Sequence, residues 1–285
     1  MVLIADGGAT KTEWCILSAT GNKRIKTQGI SPYFLNSVQI AELIRSELLP
    51  ALQQQLNISY IYYYGTGCTA PQTTKVIADA LEDLFPGARI EVSYDLVGAA
   101  HALCGNKEGI VCILGTGSSS GYYNGKAIEK NIPGLGYVLG DEGSGAYLGK
   151  MFAAQYLYDK IDSGLKISFE QEFDLTPDTL LYKIYSGTFV NTLFASFSYF
   201  LSRNREHPEV NRILKKGICD FFAIHLSEYE QRYRVPVHFT GSISWTYSDM
   251  IRQLCREYEF TCGKIIKEPM DDLLDYYLGL YSLNA

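Results

Sequence analysis

The chain has 285 residues, 47% of them hydrophobic, and a formal net charge of −6. This length suggests about two domains with real cores, and the acidity, with no basic run longer than Lys215-Lys216, argues against a nucleic-acid binder. No apolar stretch approaches the roughly 20 residues that span a bilayer. No basic segment precedes the first apolar run, Val2–Ala5, and this run is too short for a signal peptide, so we expect a cytoplasmic protein with no membrane partner.

Residues Met1–Leu17 predict a β-hairpin with a polar turn. The apolar runs Val2–Ala5 and Trp14–Leu17 are typical of strands, and Asp6-Gly7-Gly8-Ala9-Thr10-Lys11-Thr12 lies between them. Successive N–H groups in such a turn suit an anion, while the carboxylate at the strand end suits the water shell of Mg²⁺. We interpret the turn as a phosphate clamp, with a plain hairpin turn as the alternative. A strand rather than a helix follows the glycines, which excludes a P-loop and a dinucleotide fingerprint.

Strands and helices alternate through the next part of the chain. The predicted strands are Lys23–Gln28, Ser59–Tyr64 and Arg89–Ser93, and the predicted helices are Val38–Leu56, Thr73–Phe85 and Leu96–Leu103. This order predicts a partly parallel sheet with crossover helices. Asp95, directly after a strand and before a helix, either caps the helix or points into a crevice where a ligand binds.

A second strand–glycine–strand unit covers residues 109–124, with its turn at Gly115–Ser120 and an Asn124-Gly125 hairpin turn after it. It echoes the first unit, so we expect two domains, 1–107 and 108–285. The closing helix, at about 270–285, is considered as an element that packs back on the first domain. The remaining predicted elements are strands at Pro236–Thr240 and Lys264–Ile266 and helices from Ser144 to about Tyr158 and at Thr179–Tyr185, Thr192–Ser202, Asn211–Arg232, Tyr247–Glu257 and Asp271–Leu280.

The stretch Pro133–Gly149 is rich in glycine and contains the adjacent carboxylates Asp141 and Glu142. The two acids are typical of a first helical turn, where they favour the helix N-terminus. Because adjacent helical residues do not face the same way, we expect only one of the two acids to contact a substrate and the other to be structural.

Five of these segments together resemble the actin, sugar-kinase and heat-shock-chaperone ATPase superfamily. More closely, the chain resembles N-acetylglucosamine kinase and its relatives, the group that includes the BadF/BadG-type ATPases. The matching segments are Asp6–Thr12, Asp95, Leu114–Ser118, Gly134–Ser144 and Thr240–Ser242, which span about residues 1–243. The resemblance implies an α/β fold of two ribonuclease-H-like (actin-like ATPase) domains that face each other across an inter-domain cleft. It also implies an ATP- and Mg²⁺-dependent kinase of a small sugar.

The resemblance also implies a role for each matching residue. The phosphates of ATP would be bound by Gly8, Thr10, Lys11, Thr12, Gly115, Thr116, Gly117 and Ser118. Asp6 would hold Mg²⁺ through water, Asp95 would be the base, Gly241 and Ser242 would lie against the adenosine, and Gly134, Gly136 and Asp141 would line the sugar pocket. Relatives that bind N-acetylhexosamines have a segment like Gly-x-x-Asn-Pro or Gly-x-x-Asn-His after the third strand, and its Asn contacts the sugar. This chain has Gly29-Ile30-Ser31-Pro32 there, so Ser31 or Asn36 would replace the Asn contact. The identity of the sugar therefore stays open.

The leading hypothesis is a kinase that phosphorylates N-acetylglucosamine, or a related amino sugar, at its 6-hydroxyl. One alternative is a BadF-type ATPase that drives a partner protein, with Cys104 and Cys112 as the nearest candidates for a shared iron–sulfur cluster. Another is a sugar or nucleotide sensor without turnover. The seven cysteines form no Cys-x-x-Cys pair and read as reduced thiols in apolar surroundings. The aromatic residues of the predicted helices around 182–200 have two interpretations: they pack in the core, or they form a homodimer interface.

Overall fold

The structure is a computed structural model that describes residues 1–8, 10–18, 21–52 and 57–282. Ala9 of the first turn and the end of the helix predicted at 38–56 lie outside these residues. The chain divides into two compact units, Met1–Asn106 with Pro269–Ala285, and Lys107–Glu268. Within the described ranges, no helix combines the length and apolar character that a bilayer crossing requires. None of the seven cysteines, which all lie within the described ranges, forms a disulfide bond.

The sheet of the first unit has the strand order β3-β2-β1-β4-β5. Its strands are β1 (Val2–Gly7), β2 (Lys11–Ser18), β3 (Gly21–Gln28), β4 (Tyr60–Gly65) and β5 (Arg89–Tyr94). The first three are antiparallel neighbours, and β4 and β5 run parallel to β1, as predicted. Gly7, Gly65 and Tyr94 share one register row. The first turn and the residues that follow β4 and β5 therefore meet at one edge of this sheet.

Helices cover both faces of the first sheet. They are α1 (Ser37–Leu43), a π-helical turn (Ile44–Leu48), α2 (Leu49–Leu52), α3 (Pro71–Leu84), α4 (Asp95–Cys104) and α13 (Met270–Ser282). One face buries Trp14, Ile61 and Tyr63 against residues of α1 and α3 such as Ile40 and Ile77. On the other side, α13 packs against α4. The closing helix thus belongs to the first unit.

The sheet of the second unit has the order β10-β9-β6-β7-β8. Its strands are β6 (Glu108–Leu114), β7 (Ser118–Asn124), β8 (Ile128–Ile132), β9 (Val237–Thr240) and β10 (Cys262–Ile266). An antiparallel meander is followed by two strands parallel to its first member, as in the first sheet. The shared topology confirms the duplicated architecture that the two strand–turn–strand units predicted.

The second unit holds a large aromatic core. Its helices are α5 (Gly136–Leu139), α6 (Gly145–Leu157), α7 (Ser163–Phe173), α8 (Pro177–Ser186), α9 (Val190–Arg203), α10 (Pro208–Ile224), α11 (Ser242–Thr246) and α12 (Ser248–Glu257), with 3₁₀ turns at Leu226–Glu228 and Glu230–Tyr233. Phe169 of α7 packs edge-on against Phe152, Phe197 and Phe200 at centroid distances of 5.0, 4.9 and 5.4 Å. Core packing therefore accounts for the phenylalanines of α9, whereas Tyr199 of the same helix is exposed.

Three predictions about helices were incomplete. Helix α7 was missed because Leu165, Ile167 and Phe169 alternate as in a strand, although its N-cap Asp162 accepts hydrogen bonds from two first-turn amides. The helix predicted to run to Arg232 ends at Ile224 and continues as 3₁₀ turns. The helix predicted from Tyr247 is preceded by a separate short helix, α11.

Candidate functional site

The first turn is a tight hairpin whose strands stay paired to their ends. Gly7 pairs with Thr12, and the Gly8 N–H donates to the Lys11 carbonyl oxygen over 2.9 Å. Thr10 and Lys11 are exposed, whereas the Thr12 side chain is fully buried. Of the four predicted phosphate contacts in this turn, Thr10 and Lys11 are exposed, Gly8 is half-buried and Thr12 is buried.

Tyr63, which was not selected from the sequence, packs against the glycines that end β1 and β4. A Cβ at Gly7 would lie 2.4 Å from the Tyr63 hydroxyl oxygen, and a Cβ at Gly65 would lie 2.3 Å from the Tyr63 Cε1 atom. The ring therefore occupies the space that side chains at these two paired glycines would need. This close fit fixes the ends of β1 and β4, the strands that carry the turn and Thr66.

Asp95 is the first residue of α4, and Tyr94 is the N-cap. Its Oδ1 atom accepts from the adjacent Leu96 N–H over 2.9 Å, rather than from the amides two or three residues on that a capping side chain would satisfy. Burial raises the pKa of the Asp95 carboxyl to about 6, although the Leu96 N–H and the Thr66 side chain hold it lower than burial alone would. The capping interpretation is not supported by these contacts.

Thr66 lies between the first turn and Asp95. Its N–H donates to the Gly7 carbonyl oxygen over 2.8 Å, and its side chain lowers the pKa of Asp95. The sequence carried a signal, because Gly65-Thr66-Gly67 is a glycine–threonine turn at a strand end like the two that were selected. The parallel register of β1, β4 and β5 thus brings Asp6, Thr12, Thr66 and Asp95 to one edge of the first sheet.

The second turn, Gly115–Ser118, is anchored on the N-terminus of α6. The amides of Gly145 and Ala146 donate to the carbonyl oxygens of Gly115 and Thr116 over 2.8 and 3.1 Å. First-turn amides of a helix have no partner within the helix, so these bonds satisfy them while fixing the orientation of the turn.

Asp141 joins this second turn to the predicted sugar loop. It is 8% exposed and has a left-handed backbone with φ of 60°, and its Oδ1 accepts from the Gly136 N–H over 3.1 Å. Burial raises the pKa of Asp141, and the backbone amides of Gly136 and Ser118 oppose that rise. A Cβ at Gly134 would lie 2.2 Å from the Ser118 carbonyl oxygen, so the loop and the turn touch directly.

The first-turn interpretation of Asp141 and Glu142 is wrong, because α6 begins at Gly145 with Ser144 as its N-cap and both acids precede it. The two side chains nevertheless have different surroundings. Asp141 faces the glycine turns, whereas Glu142 Oε2 lies 3.5 Å from the Nε2 atom of the buried His225.

Gly241 lies against the end of β6, where the second turn begins. Its φ is 115°, and a Cβ there would lie 2.3 Å from the Leu114 carbonyl oxygen. Ser242 opens the short helix α11 and is exposed. Trp245, on the same helix, is 52% exposed and was not selected from the sequence. Gly241, the second turn and Asp141 therefore form one connected site within the second unit.

Ser31 and Asn36 lie in the segment before α1. The Ser31 carbonyl oxygen accepts from Phe34 and Leu35, which closes a turn, and Ser31 itself is 6% exposed. The Asn36 Oδ1 atom accepts from the Gln39 N–H over 3.0 Å as the N-cap of α1. The Asn36 side chain therefore has a local structural role.

Six buried side-chain polar atoms of the described residues have no hydrogen-bond partner: Thr12 Oγ1, Tyr63 OH, Ser118 Oγ, His207 Nδ1, Thr240 Oγ1 and Tyr247 OH. Three of the six, those of Thr12, Ser118 and Thr240, lie in segments that the sequence analysis matched to a nucleotide site. Thr12 belongs to the first turn, Ser118 to the second, and Thr240 precedes Gly241. Because an unpaired buried polar atom costs about 1–3 kcal/mol, such atoms indicate places where a bound group completes the hydrogen bonding.

These residues fit a nucleotide better than a protein-held metal cluster. In the part of the chain that the structure describes, no group of three or more His, Cys, Asp or Glu side chains could hold a metal ion. Mg²⁺ usually keeps several waters and needs only one or two carboxylates besides substrate phosphates. A single carboxylate, Asp6, beside a turn rich in amides and hydroxyls matches that requirement.

Several solved structures have the same fold as this chain. A Porphyromonas gingivalis protein that carries the provisional name N-acetylglucosamine kinase is 38% identical, with a TM-score of 0.94, and the match covers 99% of this chain and 100% of that one. A Chromobacterium violaceum protein with the same provisional name is 19% identical over 96% and 98% of the two chains, with a TM-score of 0.74. A ROK family glucokinase from Streptomyces griseus, in complex with glucose and AMPPNP, is 14% identical over 96% and 97%, with a TM-score of 0.54. No family model matches the chain.

Proposed function

The chain belongs to the N-acetylglucosamine kinase-like family of sugar kinases with the actin-like ATPase fold, and from this premise we propose that it transfers the γ-phosphoryl group of ATP to the 6-hydroxyl of N-acetylglucosamine or a related amino sugar. The observation that carries the proposal is the parallel register of β1, β4 and β5, which places Asp95, the residue after β5, at the same end of the sheet as the first turn. A carboxylate with a pKa of about 6 is ionised at neutral pH and can accept a proton from a sugar hydroxyl.

The nucleotide would be held mainly by backbone amides and hydroxyls. We assign its β- and γ-phosphates to Gly8, Thr10, Lys11 and Thr12 of the first turn and to the second turn, Gly115–Ser118. Bound Mg²⁺ would neutralise phosphate charge, with Asp6 contacting it through water. The partnerless hydroxyls of Thr12 and Ser118 support this assignment.

The adenosine is assigned to Gly241 and Ser242, with Trp245 added because its exposed ring lies on the same short helix. An exposed indole offers an apolar face on which a purine can stack. The partnerless hydroxyl of Thr240, next in the chain to Gly241, supports this assignment.

The sugar is assigned to the loop that Asp141 organises. Gly134 and Gly136 lie in this loop. Each oxygen of the buried Asp141 carboxylate can accept more than one hydrogen bond, so the carboxylate can bind a sugar hydroxyl besides the Gly136 N–H. Ser31 and Asn36 complete the assignment in the first unit. Because the Asn36 amide oxygen caps α1, its amide nitrogen is the group that it offers to a substituent of the sugar.

The function is tested by measuring ADP release with MgATP and a panel of sugars: glucose, N-acetylglucosamine, N-acetylmannosamine, glucosamine and N-acetylmuramic acid. We expect N-acetylglucosamine to give the highest kcat/KM. ADP release that no sugar stimulates would favour an ATPase acting on a partner, and sugar binding in calorimetry without ADP release would favour a sensor.

The pH dependence of the reaction follows from the carboxyl group of Asp95. Burial raises its pKa to about 6, and only the ionised form can accept a proton. We therefore expect kcat/KM for the sugar, measured at saturating MgATP, to fall as the pH drops through about 6, approaching tenfold per pH unit below it. A profile that stays flat down to pH 5, over a range where the protein remains folded, would contradict the assignment of Asp95 as the base.

A further inference from the structure

The loop at residues 133–141 is exposed along most of its length. Leu135, Val138 and Leu139 are 60%, 68% and 77% exposed. The short helix α5 inside the loop is a single turn, closed by a Gly140 N–H that donates to the Gly136 carbonyl oxygen. A segment with so little buried surface needs anchors at its ends if it is to hold one conformation.

A chain of three hydrogen bonds and one longer polar contact connects the two ends of this loop. It begins at Ile132, the last residue before the loop, whose N–H donates to the Tyr229 hydroxyl oxygen over 3.2 Å. The Tyr229 hydroxyl lies 2.7 Å from Ser120 Oγ, and Ser120 Oγ lies 3.2 Å from His225 Nδ1. The His225 Nε2 atom lies 3.5 Å from Glu142 Oε2, directly after the loop.

The chemical groups at the two ends of this hydrogen-bond chain indicate which atom donates in each bond. A backbone N–H can only donate, so the Tyr229 oxygen accepts from Ile132, and the Tyr229 hydroxyl can donate its own proton to Ser120. Ser120 then donates to His225 Nδ1, and the proton on His225 Nε2 points to a carboxylate, which can only accept. Burial lowers the pKa of His225, against the opposing effect of Glu142, which favours the neutral ring that this pattern requires.

We propose that Tyr229, Ser120, His225 and Glu142 form a clasp that holds the two ends of the 133–141 loop together and so positions the sugar-contacting residues. Tyr229, Ser120 and His225 are buried, with 0%, 0% and 1% exposure. They act through the loop and are positioning residues rather than catalytic ones. The effect on sugar affinity rests on the proposed function, whereas the mechanical role of the clasp does not.

The clasp itself is tested without any ligand, by hydrogen exchange of the peptide that covers residues 133–141. Tyr229→Phe removes one hydroxyl and interrupts the chain between Ile132 and Ser120. Tyr122→Phe is the matched control, because its hydroxyl bonds Glu108 Oε2 over 2.8 Å and takes no part in the clasp. We expect faster exchange of the loop in Tyr229→Phe alone. Equal exchange in both variants and the wild type would overturn the clasp.

The role in substrate binding is tested by separating the two Michaelis constants. In Tyr229→Phe we expect KM for the sugar to rise about five- to tenfold, as the loss of a hydrogen bond implies, while KM for ATP changes less than about twofold. Equal rises in both constants would overturn the positioning role. If the wild type phosphorylates no sugar, the proposed function fails, yet the exchange experiment still decides whether the clasp exists.

Glu142, at the other end of the clasp from Ile132, allows a rescue test. Glu142→Gln keeps an oxygen that can accept from His225, whereas Glu142→Ala removes it. We expect the glutamine variant to keep loop exchange and sugar KM near the wild-type values and the alanine variant to shift both. The same behaviour of the two variants, with both shifted or neither shifted, would show that acceptance from His225 is not what Glu142 supplies.

Discussion

Replacing Asp95 with asparagine is expected to lower kcat by about 10²- to 10⁴-fold, the contribution of a positioned general base, with small changes in KM. Asparagine has nearly the same shape, and its oxygen can still accept from the Leu96 N–H, so the start of α4 should stay intact. What it loses is the ability to take a proton. The measurement is steady-state ADP release with N-acetylglucosamine, accompanied by thermal unfolding to verify the fold.

Asp79→Asn is the control for this change, since Asp79 is a carboxylate of α3 that pairs with Lys75 on the surface. Its turnover should match that of the wild type. Full activity of Asp95→Asn would remove Asp95 from the mechanism, and a large loss in the control as well would show that the assay responds to surface charge.

Replacing Gly241 with alanine should strongly destabilise the second unit and abolish nucleotide binding. The backbone there has φ of 115°, which L-residues rarely adopt, and the added Cβ would lie 2.3 Å from the Leu114 carbonyl oxygen. Strain of this kind costs about 1–3 kcal/mol before the clash is added. Since the clash is with backbone rather than a flexible side chain, relief requires β6 and the start of α11 to separate. Thermal unfolding and titration with ADP measure both effects.

Gly105→Ala separates conformational strain from steric clash. Gly105 also has a positive φ, 60°, but a Cβ there would meet nothing within 4 Å. We expect it to lose a smaller amount of stability and to bind ADP normally. Wild-type ADP affinity in a folded Gly241→Ala protein would contradict the assignment of this glycine to the adenosine site.

Much of the fold could be predicted because its strands are short, apolar and punctuated by glycine. Val2–Ala5 and Gly109–Leu114 are buried strands that a polar turn follows, and this local pattern is sufficient to indicate each hairpin. Periodicity failed at α7, where Leu165 and Phe169 point into the core but Ile167 between them mimics strand alternation. The burial that decides between the two patterns depends on α6 and α9, which lie far away in the sequence.

The residues of the candidate site differ in the same way, between those that a local pattern indicates and those that depend on distant contacts. Residues whose type and position carry the chemistry, such as Asp95 and the two glycine turns, could be selected from the sequence. Residues that act by contact could not: Ser120 lies 109 positions from Tyr229 and 105 from His225, and no spacing rule connects them. Thr66 lies between these cases, since its turn was visible in the sequence but its bond to Gly7 follows from strand register.

The fit of Tyr63 over Gly7 and Gly65 has a consequence for how this chain can diverge. Neither glycine can acquire a side chain while the ring is present, because each Cβ would lie within 2.4 Å of a ring or hydroxyl atom. Substitutions at the three positions are therefore expected to be interdependent in evolution, with a smaller residue at 63 preceding any enlargement at 7 or 65. Redesign of this hairpin therefore requires that Gly7, Tyr63 and Gly65 be changed together, because they share one packing volume.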